Sequence, residues 1–98
     1  MQIDFHPEAI AELQDSLDWY MERSVAAARG LVRAVDAAID KVSKDPQRFP
    51  KVDRRHQACN LEGYPFQIVY RHEGEKIQVI AIVHAKRRPG YWRARVAK

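Results

Sequence analysis

Apolar residues recur at spacings of three and four through the first half of the chain and crowd into short β-rich runs in the second. The first pattern is that of helices with one buried face, the second that of strands in a sheet. Gln2–Phe5 alternates, with Ile3 and Phe5 on one side, and reads as a short strand. Pro7 then suits the first turn of a helix, where its missing N–H would have had no partner, and Glu8 complements the dipole there. Ile10, Leu13, Leu17 and Tyr20, with Met21 beside them, form one stripe, which predicts a helix over Pro7–Glu22. Glu12, Asp15, Asp18 and Glu22 are expected on its solvent side.

Ser24 is placed to cap a second helix. Val25, Ala28, Leu31, Val32, Val35, Ile39 and Val42 carry its apolar face to about Ser43, and Asp45-Pro46 stops it. Gly30 inside this helix marks close packing. The short link between the two helices predicts an antiparallel hairpin, read as scaffold. Beyond a loop at Gln47–Asp53, three strands are expected. They are a polar one across Arg55–Leu61 near an edge, one across Phe66–His72, and one across Lys76–His84, with turns at Glu62–Pro65 and Glu73–Glu75. Val79–Val83 is apolar without alternation, as in a strand covered on both faces. Pro89-Gly90 ends strand character, and Tyr91–Arg95 can form a turn of helix. The result is one domain over residues 1–98 of α+β class, in the order β-α-α-β-β-β, with a helical hairpin packed on a mainly antiparallel sheet and a short C-terminal tail.

Composition adds little to this, because 46% hydrophobic and 31% charged residues are ordinary for a folded domain. Charge distribution adds more. Residues 1–50 hold six Lys/Arg against nine Asp/Glu, and residues 51–98 hold eleven against four, so the net +4 divides into −3 and +7. An anionic partner is therefore expected on the second half. The single cysteine, Cys59, excludes an intrachain disulfide and suits a reducing, cytoplasmic setting. No apolar run approaches the length of a membrane span or a signal sequence. His6, His56, His72 and His84 lack tight ligand spacing, so no metal and no cofactor are expected.

Five stretches in this order give the chain a family likeness. They are Phe5-His6-Pro7-Glu8-Ala9, then Glu22-Arg23-Ser24, then Asp45-Pro46 with Phe49-Pro50, then Gly63 to Arg71, and last His84-Ala85-Lys86-Arg87-Arg88-Pro89-Gly90-Tyr91-Trp92. With them the chain resembles the RelE/ParE superfamily of toxins from bacterial type II toxin–antitoxin systems, nearer the ParE-like members. The resemblance implies growth inhibition and a cognate antitoxin that lays an acidic and apolar segment over the basic half, giving a hetero-oligomer. It implies one of two targets, DNA gyrase for ParE-like members or the ribosome with its mRNA for RelE-like endoribonucleases.

Metal-free RNA cleavage needs a base, an acid and cations on the phosphate. Under that reading His84, Arg87 and Tyr91 are the catalytic candidates, with Gln67 standing where RelE-like nucleases carry an arginine. Under the binding reading Arg71, Lys86, Arg87, Arg88, Tyr91 and Trp92 would contact target or antitoxin. A third reading, a basic nucleic-acid-binding module, rests on the +7 half alone. Each residue also has an ordinary role open to it: His84 as a hydrogen-bonded strand end, Arg71 as a partner of a nearby carboxylate, Tyr91 and Trp92 as caps on the core.

Overall fold

Strand β1 (Gln2–Phe5) runs directly into helix α1 (Pro7–Met21) in the computed structural model, which describes residues 1–96. His6 forms the junction: its Nδ1 accepts the Glu8 N–H at 3.1 Å, capping the helix, and Pro7 takes the first helical position. Helix α2 (Val25–Lys44) begins at Ser24, whose hydroxyl accepts the Ala27 N–H at 3.1 Å, and ends before Asp45-Pro46. Strands β2 (Gln57–Asn60), β3 (Phe66–Glu73) and β4 (Lys76–His84) follow. The four strands make one mixed sheet in the order β1-β4-β3-β2, with β1 parallel to β4 and the other pairs antiparallel.

Both helices lie on one face of this sheet. Leu31, Val35 and Val42 of α2 pack there with Ile68, Tyr70, Ile77, Val79 and Ile82. Tyr64 reaches across to α2 and donates to the Ala27 carbonyl at 2.7 Å. A Cβ at Gly30 would collide with that hydroxyl, which is why this helical position is glycine. The opposite face is covered by the 3₁₀ segment Tyr91–Arg95, whose Trp92 packs on Ala58, Val69, Ile80 and Ala81.

The unalternating run in β4 follows from this two-sided cover and from a bulge. Tyr70 pairs with Val79 and Val69 with Ala81, so Ile80 is an extra residue without a partner on β3. Ile80 and Ala81 consequently join the same cluster on the tail side, while Val79 and Ile82 face the helices.

Two expectations change. The α1 stripe is rotated: Ala9 is fully buried, whereas Ile10 and Met21 are more than half exposed. Glu12, expected in solvent, retains only 15% of its side-chain exposure. The cause is the short partner strand. β1 pairs only with Lys76–Val79, the His6 N–H bonds the Val79 carbonyl, and the edge of β4 beyond that point has no neighbouring strand. Glu12 fills the gap by accepting the Ile82 N–H at 3.0 Å, and Arg95 donates to the Ile80 carbonyl at 3.0 Å and to Glu12 at 2.7 and 2.8 Å. The second change is on α2, where Val25 and Val32 of the anticipated apolar face are exposed.

The tail is tied at its other end too. Arg93 pairs with Asp53 at 3.4 Å, and Trp92 packs against the ring of His56, which bonds Asp53 through Nδ1 at 2.9 Å. Burial pushes the Asp53 carboxyl up, but bonds from the Arg55 N–H and from the ring and N–H of His56 outweigh it and hold the group at about 2. Being depressed below 3.8, this carboxyl stabilises the fold fully above about pH 4 and loses that contribution as pH falls toward 2. Asp53→Asn should therefore flatten the stability-versus-pH curve in that acid window, as read by denaturant melts at successive pH values. Glu12→Ala removes the main partner of the buried Arg95, leaving it the exposed Glu8 at 3.6 Å and the Ile80 carbonyl, and should cost roughly 3 kcal/mol. In a Trp19→Phe background, Trp92 emission should shift to the red in the Glu12→Ala variant as the tail loosens.

Candidate interaction surface at the exit of β4

Strand β4 ends where β3 begins, with His84 opposite Phe66 and their rings edge to face at 5.0 Å. The chain then turns tightly. The Ala85 N–H bonds the Pro65 carbonyl, the Arg87 N–H bonds the His84 carbonyl, and the Lys86 N–H donates to His84 Nδ1 at 3.0 Å. This turn holds Lys86, Arg87 and Arg88 in solvent, and none of the three has a carboxylate partner among the described residues. Beside it is an open groove of about 560 Å³, lined by Asn60, Phe66, Gln67, Val83, His84 and Arg87 among others. The Gln67 side-chain amide donates to Asn60 Oδ1 at 3.1 Å, so the strand position opposite Val83 offers the groove a neutral amide pair.

The chemistry this arrangement can perform is set by lone pairs. Nδ1 of His84 accepts a backbone N–H, so the neutral ring carries its proton on Nε2 and has no free lone pair with which to take a proton. Tyr91 places its ring under the Arg87 guanidinium, 3.8 Å away, but its hydroxyl donates to Glu12 on the far side. Burial, and then the Glu12 carboxylate, push the Tyr91 hydroxyl up to about 12. Burial pushes Glu12 up as well, but the bonds from Arg95, Tyr91 and the Ile82 N–H prevail and leave it below the usual carboxylate range.

Of the residues singled out from sequence, the structure brings His84, Lys86, Arg87 and Arg88 together, with the ring of Tyr91 behind Arg87. Trp92 is only 3% exposed and belongs to the core. Arg71 lies elsewhere: it sits opposite Gln78, bonds that side chain at 2.9 Å, and lies 3.8 Å from Glu73. Gln78 lies six positions before His84 on β4, about 20 Å along the sheet. Cys59 is buried, and burial pushes its thiol up, away from reactivity. Among the described residues, no group of three His, Cys, Asp or Glu side chains could hold a metal ion.

Sequence reasoning missed Glu12 and Arg95. A signal for Glu12 existed, since it lies three residues after Ala9 and directly before Leu13, inside the inward arc once Ala9 rather than Ile10 is taken as its start. Nothing local marks Arg95.

A helical hairpin on one face of a mixed four-stranded sheet ordered β1-β4-β3-β2 is a fold that this chain shares with RelE and ParE proteins. A family model described as ParE toxin of the type II toxin–antitoxin system parDE matches residues 3–89, and the chain belongs to that family. Among solved structures it is similar to a chromosomal ParDE toxin–antitoxin system from P. aeruginosa, at 22% identity and a TM-score of 0.62 over 88% of this chain and 97% of that one. It is also similar to the isolated RelE toxin of E. coli, at 16% identity and a TM-score of 0.60 over 98% of each chain. No curated protein matches it by sequence.

The hydrogen-bond pattern predicts ring tautomers that nitrogen NMR can read directly. In neutral protein, His84 and His6 should carry their proton on Nε2 and His56 on Nδ1; a His84 ring protonated at Nδ1 would contradict the turn described above.

Proposed function

We propose that the protein inhibits growth by binding DNA gyrase through the exposed cations at the exit of β4, and that it does not cut RNA. The observation that carries this reading is that two of the three catalytic candidates are already committed, beside a neutral residue at position 67. His84 has no lone pair free in its neutral form, the Tyr91 hydroxyl is committed to Glu12, and Gln67 supplies no charge where a phosphate would need one. Arg87 alone remains, and one arginine binds a phosphate but moves no proton. Membership of the ParE family supports the same choice. By the same membership the partner that silences the toxin is an antitoxin, whose acidic and apolar segment suits the surface of Lys86, Arg87 and Arg88.

Purified protein added to gyrase should suppress supercoiling and raise the amount of cleaved DNA. Reversing charge at Lys86, Arg87 and Arg88 together should increase the half-inhibitory concentration by about tenfold or more with only a small fall in melting temperature, since all three side chains are exposed and Arg87 alone gives up a contact, its stacking on Tyr91. Unaffected gyrase, accompanied by new 5′ ends in translated mRNA on primer extension, would establish the ribonuclease reading instead.

A further inference from the structure

The fold carries Arg71 away from the exit of β4 and into a second group of cations, at the hairpin end of the sheet. Lys51, Arg54, Arg55 and Arg71 line an open recess of about 390 Å³ between the loop before β2 and the end of β3. Four of the eleven Lys and Arg residues in the basic half gather here, against three in the turn after β4. Glu73 is the one acid among the described residues of the lining; the others, Gln47, Gln57 and His72, carry no fixed charge. The loop side of the recess is firmly built. Gln57 is buried, and its side-chain amide donates to the Pro46 and Phe49 carbonyls at 2.9 Å each. Asp53 Oδ1 accepts the Arg55 and His56 N–H groups at 2.8 Å each, which fixes the turn that carries Arg54 and Arg55.

Glu73 shows how these cations hold an anion. One of its carboxylate oxygens lies 3.2 Å from Arg55 Nη2 and the other 3.8 Å from Arg71 Nε, so two arginines grip one anionic group between them. The grip is loose. Glu73 keeps 64% of its side-chain exposure, whereas Arg71 keeps 19% and otherwise bonds only Gln78 among the described residues. Lys51 and Arg54 are exposed, and neither has a carboxylate partner among the described residues. One exposed carboxylate therefore answers four positive charges, three of them guanidinium forks that match phosphate oxygens. We infer that this recess binds two linked phosphate groups, one displacing the Glu73 carboxylate from Arg55 and Arg71 and the other meeting Lys51 and Arg54. Such a pair occurs in a nucleotide polyphosphate and in successive backbone phosphates of a nucleic acid. Among the described residues of the lining, the only ring is that of His72 and no side chain is aliphatic, so the recess offers neither a stacking platform for bases nor an apolar anchor for a peptide. Arg71 lies opposite Gln78, about 20 Å along the sheet from His84, and the inference does not depend on the gyrase reading.

The test follows proton–nitrogen NMR spectra of the purified chain during titration with sodium pyrophosphate and, separately, with a short DNA duplex at low salt. Pyrophosphate should give saturable shifts at Lys51, Arg54, Arg55 and Arg71. Lys51→Gln combined with Arg54→Gln, both at exposed positions, should weaken its binding by about tenfold. Glu73→Gln should tighten binding by about threefold, because the two arginines are then left without their carboxylate. Glu75→Gln makes the same change of charge on the same hairpin but outside the lining, and should leave the affinity nearly unchanged. A duplex that shifts the same residues and is displaced by pyrophosphate assigns the phosphates to a nucleic-acid backbone. A duplex that leaves them unmoved, while pyrophosphate saturates them, assigns a small polyphosphate. The proposal is overturned if neither ligand gives saturable shifts there, if the shifts are confined to Lys86, Arg87 and Arg88, or if Glu73→Gln and Glu75→Gln act equally. A hexaglutamate peptide that binds the recess as tightly as pyrophosphate would overturn it as well, by assigning the recess to an acidic protein.

Discussion

The structure depends on how the free edge of β4 is closed. A four-residue β1 pairs with the start of a nine-residue β4, and the later residues of β4 are left with no strand on that side. Open edges invite pairing with other chains and leave backbone groups unsatisfied. Here a carboxylate and a guanidinium stand in for the missing strand, Glu12 accepting from Ile82 and Arg95 donating to Ile80. Removing both charges from water is unfavourable, and the pair persists because its hydrogen bonds are shared out: Glu12 receives Arg95, Tyr91 and a backbone N–H at once. The bulge at Ile80 belongs to the same solution, since it puts both Ile80 and Ala81 under the tail that delivers Arg95.

This closure also shapes the functional end. Read as sequence, Lys86 to Arg95 is one basic stretch with two aromatics. The fold separates its components. Trp92 goes into the core against His56, the Tyr91 hydroxyl goes to Glu12, and the cations between Ala85 and Pro89 stay in the turn. Tyr91 still supports Arg87 from beneath by a cation–π contact at 3.8 Å, so the latch that secures the tail also steadies one residue of the proposed binding surface.

The helices, the succession of elements along the chain and the exit at His84 were legible because each rests on local periodicity, caps and breakers within a few residues. The placement of β1 beside β4 and the burial of Glu12 were not, because they arise from contacts between residues seventy or more positions apart, and the Ile80 bulge was not, because no turn or breaker residue marks that register shift between β3 and β4. Arg71 and Arg87 looked like members of one basic group. Antiparallel pairing sets Arg71 opposite Gln78, near the hairpin end of the sheet, and only the register could reveal that.

A fold shared with both a ParDE toxin–antitoxin chain and a RelE toxin does not by itself assign an activity to this chain. The reading proposed above rests instead on side-chain commitments. The tight turn after β4 is built by giving the Lys86 N–H to His84 Nδ1, and it is this turn that sets the three cations in solvent. A general base at His84 would need the same lone pair, or the Nε2 position that the neutral ring must then protonate. Forming the cationic surface and freeing a base at His84 are thus competing uses of one nitrogen. The tail makes the matching choice at Tyr91, where closing the edge of β4 consumes the hydroxyl that acid–base chemistry would require. Two independent packing demands thereby commit both side chains at the same strand exit, which is the ground on which recognition is proposed for it.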